Sequence, residues 1–330
     1  MGNVYIGISG WRYAPWRGVF YPKDLAQDRE LEFASRALHS IEINGSFYSL
    51  QRPESYAAWY AATPPGFVFS VKGNRFITHI RRLRDVEQPL ANVLASGVFN
   101  LKEKLGPMLW QLPPSFRFDA EVIEHFLSLL PHDTEQALAL ARKRGARMKG
   151  RSRLAIDANR PLRHAMEIRH ESFVDAAFIA LLRKYRVALV VADTAGKWPD
   201  HQDVTADFMY LRLHGEEELY ASGYTDEALD RWAARIRAWH AGGESADAKR
   251  MSNEPAPRAT QRDVYCYFDN DVKVRAPFDA RRLAERLGLA RGLAPLTEFG
   301  KPKPERARRS PPYRFARSPR GEHADGTPRK

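Results

Sequence analysis

Residues 165–193 read AMEIRHESFVDAAFIALLRKYRVALVVAD, and this stretch decides the fold class. A short strand-like run, Ala165–Arg169, is followed by a longer amphipathic segment, Ser172–Arg186. A second strand, Val187–Asp193, then contains six uninterrupted apolar residues. The same succession recurs in both directions along the chain. Upstream, strands are expected at Asn3–Ser9, Ser40–Asn44, Phe67–Lys72 and Pro107–Leu112; downstream, at Phe208–His214 and Val264–Asn270. Helical segments fall at Asp24–Leu38, Pro53–Ala62, Val86–Leu94, Asp119–Leu130, Thr225–His240 and Asp279–Leu287, with Asp119, Ser172 and Asp279 as capping residues. Eight strands, each followed by a helix or a long loop, predict an α/β fold: a single (β/α)8 TIM barrel with inserted loops. A doubly wound open sheet would call for a glycine-rich phosphate turn after a strand. No GxGxxG or GxxxxGK[ST] occurs, so no nucleotide-cofactor motif is present.

Composition narrows the class. The chain has 330 residues, 44% of them hydrophobic and 11% aromatic, so it can build a large core. Its longest clean apolar run, Val187–Ala192, is far too short to span a bilayer, so no membrane partner is expected. Cys266 is the single cysteine, which excludes intramolecular disulfides and CxxC metal sites. The opening MGNVYIGISG has no basic region followed by an apolar stretch. Both features predict a cytoplasmic protein.

The formal net charge is +12, but it is concentrated. Residues 142–153 (RKRGARMKGRSR) carry +7 and residues 301–330 carry another +7, leaving −2 for everything else. The barrel is therefore placed at 1–298, with a basic insertion within 133–163 and a flexible loop at 242–262. Residues 299–330, rich in Arg and Pro, are expected to form a disordered tail.

In barrels of this class the reactive groups lie at the C-terminal ends of the strands. Here seven strands end in groups that are costly to bury alone. Strand 2 brings Glu42 and Asn44, and strand 3 brings Lys72, followed by Arg75 and His79. Strand 4 brings Gln111, strand 5 Glu167 and Arg169 with His170 next, and strand 6 Asp193. Strand 7 brings Arg212 and His214, and strand 8 Asn270. The first loop adds aromatics (Trp11, Tyr13, Trp16, Phe20 and Tyr21), of which Trp11 is a candidate wall for a stacked ligand. Glu42 with Arg169, or Glu167 with Arg212, are also candidates for purely structural buried pairs.

The runs IGISGWRYAPWRGVFYP, IEINGSFYSL, FSVKGNRFITHIRRL, LGPMLWQLPPSF, EIRHESF, ADT, YLRLHG and YFDND occur in this order between residues 4 and 278. They resemble the signature blocks of the YecE-like family, domain of unknown function family 72. The resemblance implies a TIM barrel and implies that the family's shared polar positions fall on the strand-end residues named above. It assigns no reaction. The EIRHESF block departs from the family pattern at Ile168 and Phe173, and the basic segments lie outside it.

Three negative and three positive side chains at one mouth suit an anionic ligand better than a bare metal cage. The leading expectation is a pocket that binds or hydrolyses a phosphate-bearing ligand, a nucleotide or nucleic acid. In that reading Glu42, Glu167, Asp193 and His214 are the catalytic set, with a carboxylate as base and His214 as proton donor, while Lys72, Arg169 and Arg212 clamp the phosphate. The same four catalytic residues leave room for a single divalent ion. Alternatives are a non-catalytic nucleic-acid binder using the two basic segments, and a sugar-binding or sugar-isomerising barrel. The sequence singles out no substrate and no oligomeric state.

Overall fold

The computed structural model describes residues 2–296; the tail expected at 299–330 lies outside the described residues. Eight strands form a closed barrel in sequence order: β1 (Val4–Ser9), β2 (Ser40–Ile43), β3 (Val68–Lys72), β4 (Leu105–Gln111), β5 (His164–Glu167), β6 (Ala188–Asp193), β7 (Phe208–Leu213) and β8 (Asp263–Phe268). Every neighbouring pair is parallel, and β8 closes on β1 with Tyr5 opposite Tyr265 and Gly7 opposite Tyr267. The helices are α1 (Glu30–Ala37), α2 (Gly45–Tyr48), α3 (Pro53–Ala62), α4 (Glu87–Ala95), α5 (Ala120–Ser128), α6 (Thr134–Ala141), α7 (Ala176–Lys184), α8 (Asp226–His240) and α9 (Ala276–Arg286). The molecule is thus a (β/α)8 barrel, with a loop rather than a helix joining β6 to β7.

Two caps differ from expectation. Asp119 does cap α5, accepting from the Val122 amide. Helix α7, however, starts after Asp175, which accepts from the Ala177 amide. Ser172 instead accepts from the Phe118 amide, so the segment 171–186 breaks into a 3-10 turn and a helix. Asp279 lies inside α9, buried, where it accepts from the Tyr224 amide and from Asn270.

The core has two parts. Outside the strands, α7 and its neighbours bury Phe173, Phe178, Ile179 and Leu182 against the barrel wall. Inside, alternate strand residues fill the barrel in layers, with Val68, Leu109, Ala165, Val190, Phe208 and Tyr265 toward the N-terminal end. Closure demands a glycine: a Cβ on Gly7 would lie 2.0 Å from the Ser40 carbonyl oxygen. Above this layer the interior turns polar. Tyr267 pairs with Ser40 (2.8 Å), while Tyr210 reaches Ser70 (2.6 Å) and Glu42 (2.6 Å).

Both internal insertions are tied to the barrel. The Gly145 amide donates to Asn92 and the Arg153 amide to Ala95, holding the basic segment against α4. In the 242–262 loop, Asp203 accepts from the amides of Met251 and Ser252, and the buried Arg262 donates to the carbonyls of Gly243 and Pro257. No helix among the described residues is long and apolar enough to cross a membrane.

Candidate functional site at the C-terminal mouth of the barrel

The two-residue period of the strands aims Ser9, Glu42, Lys72, Gln111, Glu167 and Arg212 at one mouth. At its centre is Arg212, fully buried. Its Nε donates to Glu42 Oε2 (3.1 Å) and its Nη2 to Glu42 Oε1 (2.9 Å). Nη2 also reaches Asp269 Oδ2 (2.7 Å) and Ser9 Oγ (3.1 Å), and Nη1 reaches Glu167 Oε2 (2.9 Å). A guanidinium has five N–H donors, and these contacts engage all three nitrogens. Arg212 therefore has little left to offer a ligand.

The carboxylates are equally occupied. Glu42 accepts from Ser9 (2.6 Å) and Tyr210 as well as from Arg212. Glu167 accepts from Gln111 on both oxygens (3.0 and 2.9 Å) and from Arg169 Nε (2.6 Å). Burial alone would raise the Glu167 carboxyl, but Arg169 and Arg212 hold it well below the usual carboxylate range. An ionised, saturated carboxylate is a poor general base. Of the two structural pairs anticipated, Glu167–Arg212 forms, whereas Glu42 takes Arg212 rather than Arg169.

His214 is also fully buried, with Nε2 3.3 Å from Arg212 Nη1 and Nδ1 3.2 Å from Asp269 Oδ2. Facing a guanidinium donor, Nε2 must carry the lone pair, so the proton sits on Nδ1, which is close to Asp269 but makes no hydrogen bond among the described residues. Burial first, then Arg212, pushes the imidazole's pKa down and keeps it neutral.

Lys72 stands apart from this network. It is buried at the end of β3 with its Nζ 4.5 Å from the centre of the Phe47 ring. Among the described residues it makes no ion pair and no side-chain hydrogen bond. Burial, then the charge of Arg212, brings its pKa down to about 8. The His79 ring lies 5.0 Å from the same Phe47 ring, and its Nδ1 is 2.8 Å from Thr78 Oγ1. Burial, then Lys72 and Arg169, depresses His79 to about 4. Arg169 lies flat against Trp198, its Cζ 3.8 Å from the ring centre. Only its Nε is bonded, leaving both Nη groups without a hydrogen bond among the described residues. Exposed Arg75 stands at the outer edge. A cavity of about 360 Å³ adjoins the mouth beneath the first two loops, lined by Trp11, Tyr13, Asn44 and Tyr48 among others. There Asn44 donates to Ser9 (2.8 Å), while its buried Oδ1 has no partner.

Three expected residues do not join. Asp193 pairs in register with Leu213, not with Arg212, so it faces outward, where its carboxyl accepts from Tyr224 (3.0 Å) and is pushed up to about 6 by burial. His170 accepts from the Ser172 amide (3.0 Å) and caps the 3-10 turn. Asn270 donates to Ser222 O and to Asp279 (2.9 Å), fastening loops behind the mouth. The anticipated ion site of Glu42, Glu167, Asp193 and His214 is corrected accordingly: Arg212 lies between the two glutamates, and Asp193 points away. Among the described residues no three His, Cys, Asp or Glu side chains are grouped to hold a metal.

Sequence reasoning missed Ser9, Tyr210, Trp198, Asp269 and Asp271. Asp269 was the accessible one, because it follows Tyr265 and Tyr267 at the two-residue spacing of inward positions. Arg212 and His214 hold its carboxylate low against the effect of burial. Burial and the charge of Asp269 push the carboxyl of neighbouring Asp271 well up.

A family model described as protein of unknown function DUF72 matches residues 5–306. The UPF0759 protein YecE of Escherichia coli (strain K12) is 24% identical over 251 residues, covering 72% of this chain and 82% of YecE. The UPF0759 protein YunF of Bacillus subtilis (strain 168) is 27% identical over 118 residues, 34% of this chain and 41% of YunF. Among solved structures, a DUF72 family protein of Thermotoga maritima superposes with a TM-score of 0.64 at 22% identity, covering 87% of this chain and 99% of its own. One from Enterococcus faecalis gives 0.62 at 16% identity, over 87% of this chain and 96% of its own. At these identities the structures speak for the fold alone.

Proposed function

The chain belongs to the family of proteins of unknown function DUF72, and from its site we propose that the barrel mouth binds a phosphate-bearing ligand. One observation carries this reading: Lys72 is a buried ammonium packed on a ring, with no hydrogen-bond acceptor among the described residues. A buried cation without a partner is costly, and an incoming anion would remove that cost. The free Nη groups of Arg169, braced by Trp198, supply a second contact of fork geometry suited to phosphate. The clamp is thus Lys72 and Arg169; Arg212 acts as the positioning residue that holds Glu167, and through it Arg169, in place. Were the site a phosphoester hydrolase or lyase, the neutral His79, rather than the saturated Glu42 or Glu167, would accept the proton in transit.

A nucleic-acid strand as the bearer of the phosphate is favoured by the rim. Tyr48, at the end of α2, and Phe76, in the helical turn after β3, are 70% and 38% exposed, and Arg147 of the basic segment lies 5.9 Å from the Phe76 ring. Exposed aromatics among arginines are what single strands stack upon.

Calorimetric titration with inorganic phosphate, a nucleoside monophosphate and a short single-stranded oligonucleotide tests both readings. Phosphate and monophosphate binding should weaken at least tenfold in K72M and in R169M. Wild-type affinity no better than that of the K72M/R169M double variant would overturn the proposal. Oligonucleotide binding no tighter than that of the monophosphate would remove the nucleic-acid reading.

A further inference from the structure

We propose that Lys72 is an amine nucleophile, forming an imine with the carbonyl carbon of a phosphate-bearing aldehyde or ketone. This inference rests on the phosphate-binding reading and names the substrate class of the same site. A lysine that serves only as a clamp needs charge, and charge is cheapest at the surface or beside a carboxylate. Lys72 is 8% exposed, packed on Phe47 and without an ion pair among the described residues; the charges of Glu42, Glu167 and Asp269 reach it but do not offset burial and Arg212. Desolvation in an apolar setting beside another cation is the arrangement that turns a lysine into a nucleophile. With its pKa brought down to about 8 by burial and by Arg212, a useful fraction is neutral near pH 7.

The surroundings supply the other parts of the step. His79 packs edge-to-face on the same Phe47 ring, and apart from its Nδ1 contact to Thr78 it makes no hydrogen bond among the described residues. It is uncharged at neutral pH, so its Nε2 is available to carry protons. The free Nη groups of Arg169 offer a place for the substrate phosphate. In the step, the Nζ lone pair forms a C–N bond to the carbonyl carbon while the carbonyl π pair moves to oxygen. Nitrogen loses a proton and oxygen gains one, giving a carbinolamine. The hydroxyl then takes a second proton from solvent and leaves as water while the nitrogen lone pair forms C=N, giving the protonated imine, whose N–H returns that proton to solvent. Nothing is oxidised or reduced.

The test uses the full chain with glyceraldehyde 3-phosphate as probe and sodium borohydride as trap. Borohydride delivers hydride to the imine carbon and leaves a stable secondary amine, located by intact mass and peptide mapping. The expected result is one adduct per chain, on Lys72, formed at least tenfold faster than with glyceraldehyde and suppressed at least tenfold by excess inorganic phosphate. K72R, checked for folding by circular dichroism, should lose the adduct; the mapping on the wild type stands without it. Adducts spread over surface lysines with Lys72 unmodified, while calorimetry still detects phosphate binding, would overturn the imine and leave the binding reading standing. Absence of both the Lys72 adduct and phosphate binding would overturn the two together.

Discussion

Arg212 and Glu42 meet inside the barrel as a two-point pair, Nε to Oε2 at 3.1 Å and Nη2 to Oε1 at 2.9 Å, with neither side chain more than 1% exposed. This fork joins β7 to β2 across the barrel. Its remaining donors reach Glu167 on β5 and Asp269 after β8. One guanidinium therefore gathers groups from four elements, and the neutrality of the mouth depends on it.

Replacing Arg212 by Met leaves Glu42, Glu167 and Asp269 buried without their shared cation. Removing one partner of a buried pair costs about 3–5 kcal/mol. The expected outcome for R212M is a loss of that size in urea unfolding, together with higher pKa values for Glu167 and Asp269, which Arg212 holds low. R212K should recover only part, because an ammonium cannot reproduce the planar fork. A cost under about 1 kcal/mol, the range of exposed pairs, would contradict the central role given to Arg212.

Asp269 and Asn270 are adjacent, and the structure assigns them different work. D269N removes the negative charge beside Arg212 and His214, and one of its two acceptor oxygens, while Glu42 and Glu167 still neutralise the guanidinium. It should cost about 1–3 kcal/mol, the range for a buried partner lost, and weaken phosphate binding by loosening the cluster. It should also lower the Asp271 pKa, since after burial the Asp269 charge is the next cause of its upward shift. N270A loses the contacts to Ser222 and Asp279 and should reduce stability by a similar amount with phosphate affinity unchanged. Equal effects of both variants on binding would argue against this division.

These two residues also mark how far the sequence could be read. All eight strands were legible because short β-rich runs alternate with amphipathic segments, and Glu42, Lys72, Glu167 and Arg212 followed from the two-residue period. The period needs an anchor, however. In Val187–Asp193 every residue but the last is apolar, so nothing says which set faces inward; the register with β7 turns Asp193 outward. In β8, Tyr265 and Tyr267 are the inward residues, and the same count reaches Asp269 rather than Asn270. The bonding of Arg212 was not legible at all. Residue types indicate that carboxylates and a guanidinium converge, but whether their donors are consumed among themselves or left for a ligand depends on distances.

Lys72 and His79 both pack on the Phe47 ring, and their charges are coupled. The Lys72 ammonium is the second cause, after burial, of the depressed His79 pKa of about 4. In K72M the His79 pKa should rise, read from the imidazole proton shifts in an NMR titration. Wild-type His79 should remain neutral down to about pH 4. An unchanged titration midpoint in K72M would mean that the two groups do not sense one another.

The pH dependence of the whole site follows from Lys72. Its folded pKa of about 8 lies below the ordinary lysine value of 10.5, because burial disfavours the charged form. Between these two values the unfolded chain holds a proton that the folded chain has released, so stability rises with pH across this window. Below about pH 8 both states are protonated and the full cost of the buried charge is present. At 1.36 kcal/mol per pKa unit the gain amounts to about 3 kcal/mol in wild type and should be missing in K72M. Phosphate affinity must run the opposite way, since it needs the ammonium: it should fall tenfold for each unit above about pH 8 as the amine loses its proton. In K72R the guanidinium stays charged throughout, and affinity should be flat over the same range. Urea midpoints and phosphate titrations of wild type, K72M and K72R from pH 7 to 10 measure both slopes. Parallel slopes in wild type and K72R would place the titrating group elsewhere.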